Sequence, residues 1–87
     1  MTNVVIVADI RLYREGLAQT LGCEEELRVT GAAPDLETAL TCVRDLRPDV
    51  VLIDQAMAES LAAVRAIRLL KPDVKVVALG GRSRSGK

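Results

Sequence analysis

The sequence predicts an α/β fold in which four parallel strands alternate with three helices. Two short apolar runs rich in β-branched residues, 4–8 and 50–53, lead directly into the carboxylates Asp9 and Asp54. Short runs of this kind are typical of strands that are buried on both faces of a parallel sheet. Between them, apolar residues recur every three or four positions, which indicates amphipathic helices. Strand and helix therefore alternate, and right-handed crossovers make the strands parallel.

The first half of the chain predicts two strands and two helices. The helical period starts at Ile10, and Gly22 is the expected end of the first helix. A more polar strand over residues 27–33 suits the edge of a sheet. The second helix follows Pro34, and Asp35 supplies negative charge near its N-terminus. The apolar stripe of the first helix comprises Leu12, Tyr13, Gly16, Leu17, Thr20 and Leu21, with Tyr13, Leu17 and Leu21 predicted as core. That of the second comprises Leu36, Ala39, Leu40, Val43 and Leu46.

The second half repeats a short pattern that ends a helix and begins a strand. Arg47-Pro-Asp-Val50 recurs as Lys71-Pro-Asp-Val74. A basic residue suits the negative C-terminal end of a helix, and proline prevents the helix from continuing. The last strand is predicted over residues 74–79. The third helix lies between the two patterns, with Leu61, Val64, Ile67 and Leu70 inward and Arg65 and Arg68 outward.

Composition argues against several classes of function. The 87 residues suit a single domain, and the formal net charge is zero, which argues against a nucleic-acid-binding surface. Tyr13 is the only aromatic residue, so base stacking on single strands is not expected. The chain has no histidine and no CxxC pair, which argues against zinc. Cys23 and Cys42 are interpreted as small apolar helix residues in a reducing compartment.

The expected location is the cytoplasm, without contact with a membrane. The N-terminus has no basic segment followed by a long apolar stretch, so no signal peptide is predicted. No apolar run approaches the length that spans a bilayer.

Asp9 and Asp54 are the strongest candidates for chemistry, because each follows an apolar strand. Open α/β sheets keep their ligand sites at the carboxyl ends of the strands. If the two strands are neighbours, their carboxylates meet where a backbone carbonyl is also available, which suits a small cation. Asp9 could equally cap the first helix, and Asp54 could be a turn residue. Arg11 and Arg14 are interpreted as solvated charges on the first helix.

Two segments resemble the receiver domains of bacterial two-component response regulators. They are Asp9-Ile-Arg-Leu-Tyr-Arg-Glu-Gly-Leu17 and Arg47-Pro-Asp-Val-Val-Leu-Ile-Asp54, with Met57 three residues further on. They are most similar to regulators that carry a LuxR/NarL-type DNA-binding domain, and the similarity covers residues 3–79. The resemblance implies a flavodoxin-like sheet of order 2-1-3-4-5.

The resemblance also implies the chemistry of the site. Asp54 would accept a phosphoryl group, for which a histidine kinase is a possible donor. Mg²⁺ would be held by the carboxylates of Asp9 and Asp54 and by the backbone carbonyl of Ala56, and it would neutralise charge on the phosphoryl group.

The sequence departs from the family pattern around this site. Ala8 occupies the first of two positions that are usually acidic, and Ala58 follows Met57 where the family has proline, in a loop about two residues short. Gly80 stands at the switch position, so the usual hydroxyl is absent. The lysine of the fifth strand would lie beyond Lys87. These departures predict weak binding of Mg²⁺ and a weakened phosphorylation switch.

The expected domain organisation is a receiver-like domain over residues 1–80 and a flexible Gly/Ser/Arg tail over 81–87. A complete receiver would add a helix, a strand and a helix. Without them the fourth strand is an open edge. Two alternatives follow: the chain forms a homodimer through that edge, or it is a fragment of a longer regulator.

Three functions are therefore considered. The first is an atypical receiver, not an enzyme, that acts in signalling and transcriptional control through protein association, with phosphorylation weak or absent and no direct contact with nucleic acid. The second is a working phosphoacceptor that uses Asp54 with Mg²⁺. The third is a small phosphate- or nucleotide-binding protein that uses residues 81–87, whose G-x-x-x-x-G-K spacing lacks the following hydroxyl residue and helix.

Overall fold

The computed structural model describes residues 1–80, which form a four-stranded parallel sheet and three helices. Numbered in chain order, the strands lie side by side as 2-1-3-4, as the resemblance implies for the first four strands of a flavodoxin-like sheet. The predicted tail, 81–87, lies outside the described residues. In chain order the elements are β1 (Thr2–Val7), α1 (Arg11–Gly22), β2 (Leu27–Ala33), α2 (Leu36–Leu46), β3 (Val50–Asp54), α3 (Ser60–Leu70) and β4 (Lys75–Leu79).

The two apolar runs form the central strands β1 and β3. They are paired in register, with Val7 opposite Ile53, and β3 continues to β4 with Asp54 opposite Leu79. All pairs are parallel, so the carboxyl ends of the strands meet at one edge of the sheet. This edge carries the residues after β1 and β3, where the sequence predicts the site.

The helices cover the two faces of the sheet unequally. In the described chain, α2 and α3 pack on one face and contact each other, whereas α1 alone covers the other face and contacts only β1 and β2. The main core lies under α2 and α3, where branched aliphatic side chains of the sheet meet those of the helices. Its members include Val5, Val7, Val43, Val51, Ile53 and Ile67.

Several leucines predicted to face inward are exposed. Leu12 of α1 is 82% exposed and Leu61 of α3 is 62% exposed. In α3 the fully buried residues are Ala63 and Ile67, and Leu61 lies about 200° around the helix from Ala63 at 100° per residue. Leu46 and Leu70 are also exposed, although less so. The prediction of an inward-facing side chain was wrong for Leu12 and Leu61. Leu46 still faces the sheet, because its Cδ1 lies against Gly31 of β2.

The predicted core of α1 is only half-buried. Within the described chain, α1 buries none of its side chains completely, and Tyr13, Leu17 and Leu21 are intermediate in exposure. The reason is that α1 is the single helix on its face, so no second helix packs against its sides. Outer positions such as Leu12 therefore remain open to solvent.

Helix α2 has well-defined ends. Asp35 is its N-cap, as its sequence position predicts, and the Asp35 carboxylate accepts a hydrogen bond of 2.8 Å from the backbone N–H of Thr38. At the other end Arg47 adopts a left-handed conformation with φ of 49°, the only positive φ of a non-glycine residue in the described range. The left-handed residue ends the helix and directs the chain through the buried Pro48 into β3.

Replacing Asp35 with alanine is expected to lower the thermal unfolding midpoint at pH 7, because the N–H of Thr38 loses its acceptor. That hydrogen bond lowers the pKa of Asp35 from its ordinary value of 3.8. The charged form is therefore favoured in the folded state, so its stabilisation is complete above about pH 3.8 and is lost as the pH falls below it. Differential scanning fluorimetry from pH 7 to pH 3 measures this difference.

The matched control is Asp35→Ser, which keeps an N-cap oxygen but does not titrate. We expect Asp35→Ser to lie close to wild type at pH 7 and to lack the extra loss at low pH. An alanine variant as stable as wild type at pH 7 would contradict the capping role.

The described helices include none that is both long and apolar enough to cross a bilayer.

Cys23 and Cys42 are free thiols, the first exposed and the second half-buried. Partial burial raises the pKa of the Cys42 thiol, with a smaller contribution from the nearby charge of Asp45.

Candidate functional site

Asp54 ends β3 and is the one charged residue that is buried in the described chain, with 1% of its surface exposed. Its Oδ1 accepts a hydrogen bond of 2.9 Å from the backbone N–H of Ala56. A buried carboxylate is costly unless its surroundings compensate for lost hydration, so this position indicates a functional role. The structure places Asp54 where the sequence predicts it, at the carboxyl edge of a central strand.

Ala8 directly follows the neighbouring strand β1, at the level of Asp54. Val7 is opposite Ile53, and the N–H of Ala8 continues the ladder by donating to the carbonyl of Ala33 over 3.0 Å. Residues that are opposite each other on paired strands point to the same face of the sheet. Val7 and Ile53 face the core under α2 and α3, so the next pair along, Ala8 and Asp54, is on the other face, which carries α1. Ala8 is fully buried. A methyl group therefore adjoins the buried carboxylate of Asp54.

Asp9 follows Ala8 and is exposed at the same edge of the sheet. Its alternative role as a helix cap is wrong, because the N-cap of α1 is Ile10 and no side-chain capping bond forms at this end of the described helix. The carboxylate of Asp9 is thus not used to begin α1. It remains a candidate ligand for a cation near Asp54.

Arg14 is the site residue that sequence reasoning missed. Its Nη1 donates a hydrogen bond of 2.7 Å to the carbonyl oxygen of Ala8, and the side chain is half-buried. The interpretation of Arg14 as a solvated charge was therefore wrong. The only sequence signal was its position, one and a half turns after Asp9, which brings a long side chain back towards the end of β1. Arg14 thus places a positive charge at the end of β1, against the carbonyl of the residue before Asp9.

The loop after Asp54 is fixed by a series of short hydrogen bonds. The N–H of Gln55 donates to the carbonyl of Leu79 over 2.8 Å, and the hydroxyl of Ser60 donates to the carbonyl of Gln55 over 3.0 Å. Met57 is buried and its N–H donates to the carbonyl of Asp54 over 3.2 Å. Ala56 is left exposed between these anchored residues. The loop therefore holds Ala56 at the rim of the site.

Comparison with known proteins decides the family. A family model for the response regulator receiver domain matches residues 4–86. The chain belongs to the response regulator receiver-domain family. Its fold class is thereby confirmed, and it is a receiver domain of the two-component signalling system. The resemblance to LuxR/NarL-type regulators is confirmed by its similarity to GacA and to a NarL receiver domain.

Relatives of this receiver domain are longer proteins. It is 40% identical to the response regulator GacA of Pseudomonas viridiflava over 81 residues, which are 91% of this chain and 38% of GacA. Among solved structures, the receiver domain of the putative regulator NarL from Mycobacterium tuberculosis matches with a TM-score of 0.78 and 28% identity over 95% of this chain and 68% of that one.

A LuxR-family response regulator from an Aurantimonas species matches with a TM-score of 0.82 and 22% identity over 90% of this chain and 57% of that one. At this identity the match supports the fold alone. The receiver domain described here thus spans less than two fifths of the length of GacA.

Gly80 follows β4, at the position where the resemblance places a switch hydroxyl. A Cβ built on Gly80 would lie 2.9 Å from Oε1 of Gln55, so the Gln55 side chain lies against the backbone there. The contact is with the far end of a flexible side chain, and the glycine does not have positive φ. A larger residue at position 80 would therefore require only that Gln55 move.

The donor atoms at this edge can be compared with those that Mg²⁺ prefers. Mg²⁺ is commonly bound through one or two carboxylates, with waters and phosphate oxygens completing the octahedron. The predicted ligands, Asp54, Asp9 and the carbonyl of Ala56, would supply two carboxylates. No cluster of three or more acidic, cysteine or histidine side chains suitable for a metal occurs within residues 1–80. The magnesium site therefore stays a prediction, and it would have few protein ligands.

Proposed function

We propose that this receiver domain acts mainly through protein association, with phosphorylation of Asp54 weak or absent. The observation that carries the proposal is the buried methyl group of Ala8 beside the Asp54 carboxylate. A cation at this edge would have Asp9, Asp54 and the Ala56 carbonyl as ligands, and it would supply neutralisation of negative charge on a phosphoryl group. With one carboxylate fewer, the affinity for that cation is expected to be low.

Arg14 supports the same proposal through its charge. Its guanidinium is held 2.7 Å from the carbonyl of Ala8, at the end of β1 from which Asp9 follows. Two like charges in a partly buried site disfavour each other, so a guanidinium at this end of β1 is expected to weaken the binding of a divalent cation there.

Gly80 supports a weakened response to phosphorylation. It offers no hydroxyl that could hydrogen-bond a phosphoryl oxygen, and the neighbouring Gln55 side chain lies against it. A conformational response requires an interaction that differs between the two states. Without such a group, a phosphoryl adduct on Asp54 would have little means of changing the loop after β4.

Intact-mass spectrometry after incubation with acetyl phosphate and Mg²⁺ tests this proposal. We expect little or no phosphoryl adduct on the wild-type chain, because the cation site beside Asp54 is sparse. Asp54→Asn is the control, since its amide cannot form the acyl phosphate. A stoichiometric adduct on wild type that is absent from Asp54→Asn would overturn the proposal.

The second candidate is a working phosphoacceptor. The burial of Asp54 and the hydrogen bond that the Ala56 N–H donates to it favour this alternative, because they keep one carboxylate oriented in a protected site. A histidine kinase would then be the partner that donates the phosphoryl group. The same mass measurement separates the two candidates, since only this one predicts a stoichiometric adduct. The phosphate-binding role of residues 81–87 stays a prediction, because it falls outside the described residues.

Association is supported by the incomplete cover of the sheet. In the described range β4 has only β3 as a neighbour, and no helix contacts β3 or β4 on the face that carries α1. Leu52, Val77 and Leu79 lie there half-buried. Pairing of this edge with a second copy, or with a further segment of a longer regulator in transcriptional control, would cover this surface. Sedimentation velocity at increasing concentration measures self-association.

A further inference from the structure

The outer side of α2 and α3 carries a second apolar surface, on the opposite face of the sheet from α1. A groove of about 570 Å³ runs between these helices. Leu40, Ala66, Leu69 and Leu70 provide its apolar lining, and Glu37 and Arg44 provide its charges. This α2–α3 groove lies on helices that cover one face of the sheet, so it is a different surface from the open β4 edge.

Leu40 of the α2–α3 groove packs against the core of the domain, but Leu69 and Leu70 are not explained by that core. Leu69 is 84% exposed, and Leu70 is also exposed. Ile67, only two residues before Leu69, already fills the core side of α3. A helix that packs one face against a core normally carries polar residues on the other face. Contiguous exposed apolar residues on a folded domain indicate a binding surface.

The charges of the groove have a defined spacing along α2. Glu37 is in the first turn of the helix and Arg44 in the last. They are seven residues apart, so they lie on the same side of α2, separated by two turns or roughly 10 Å. Arg44 also pairs with the adjacent Asp45 over 2.9 Å, but both side chains are more than half exposed. An exposed pair of this kind is weak and can exchange partners.

We propose that the α2–α3 groove binds the α2–α3 groove of a second copy of this chain, with the two α2 helices antiparallel. In that arrangement Glu37 of each copy lies opposite Arg44 of the other, and the exposed Leu69 of each copy is buried in the contact. A two-fold axis makes the contact isologous, so one patch serves both subunits. The opposite charges of Glu37 and Arg44 cancel, which favours a neutral, self-complementary partner over a strongly charged one.

This inference rests on the proposed association, but it places self-association on the α2–α3 groove instead of the open edge of the sheet. It differs from pairing through the edge of the sheet. Strand β4 carries the exposed Lys75, and lysine on an edge strand is a common means of preventing edge-to-edge pairing. The α2–α3 groove has no such protection at its apolar centre.

The first test replaces Leu69, the most exposed leucine of the α2–α3 groove. We expect Leu69→Glu to raise the dimer dissociation constant at least tenfold in sedimentation velocity, because it places two carboxylates in the apolar contact. Leu12→Glu is the matched control: Leu12 is 82% exposed, also on a helix, but on the other face of the sheet. Far-UV circular dichroism confirms that both variants fold. Equal dimerisation of Leu69→Glu and wild type would overturn the proposal.

The second test exchanges the charges. Glu37→Arg and Arg44→Glu alone each place like charges opposite one another, and both are expected to weaken self-association. Mixed together, they restore both opposite-charge pairs, so a heterodimer is expected. The double variant is likewise expected to recover self-association. Weakening by both single changes without recovery in the mixture would overturn the antiparallel arrangement.

The outcomes separate this surface from the proposed function itself. A wild-type chain that stays monomeric at high concentration would contradict both self-association and the α2–α3 groove. A wild-type dimer that is insensitive to the Leu69 and charge variants would contradict the groove alone and leave association through another surface. Phosphoryl adduct formation at Asp54 is expected to be unchanged in the Leu69 and Arg44 variants, because both residues lie in the last turns of their helices, away from the carboxyl edge of the sheet.

Discussion

Replacing Ala8 with aspartate is expected to raise the rate of Asp54 phosphorylation by acetyl phosphate on the order of tenfold, and only in the presence of Mg²⁺. Ala8 is fully buried beside Asp54, so the new side chain would add a third carboxylate to those of Asp9 and Asp54. Each additional carboxylate increases the affinity for a hard divalent cation. Intact-mass spectrometry over time gives the rate.

The same substitution has an expected cost in the absence of the cation. Two adjacent carboxylates in a buried site repel each other and are poorly hydrated, so Ala8→Asp should unfold at a lower temperature than wild type without Mg²⁺. Adding Mg²⁺ should raise its unfolding midpoint more than that of wild type, since ligand binding to the folded state is stabilising. This readout does not depend on phosphorylation.

Ala8→Asn is the control for Ala8→Asp, because it has nearly the same shape without the charge. We expect it to be destabilised without gaining a response to Mg²⁺. If Ala8→Asp and Ala8→Asn responded equally to Mg²⁺ in both measurements, the missing carboxylate could not be the reason for a weak site.

Truncating Ile67 to alanine is expected to lower the free energy of unfolding by about 2–5 kcal/mol, the usual cost of a large-to-small change in a core. Ile67 is fully buried and belongs to the cluster in which α2 and α3 meet the sheet, with Val43 and Val51. Small domains are stable by only about 5–15 kcal/mol, so this loss is a large fraction of the total. Urea denaturation followed by circular dichroism measures it.

Leu61→Ala on the same helix is the matched control for Ile67→Ala. Leu61 is 62% exposed, and substitutions at such positions usually change stability by about 0.5 kcal/mol or less. A loss in Leu61→Ala as large as that in Ile67→Ala would contradict the burial pattern of α3. It would instead agree with the inward orientation of Leu61 that the sequence periodicity predicts.

The sequence by itself determined the alternation of strands and helices, the parallel sheet and the position of Asp54. Local signals carry this information: short β-branched runs indicate buried strands, and the Arg-Pro-Asp and Lys-Pro-Asp patterns end helices. Asp35 could be assigned to the start of α2 for the same reason. These features depend on neighbours in the chain, so they can be recognised without knowledge of the fold.

Only the tertiary structure decided which side chains are buried and what surrounds Asp54. Helical periodicity predicts that a buried side exists, but its centre depends on where neighbouring elements pack, and this is why Leu61 is exposed while Ile67 is not. The hydrogen bond from Arg14 to Ala8 likewise depends on how α1 crosses the end of β1. Such contacts join residues through packing in three dimensions, and sequence spacing does not specify that packing.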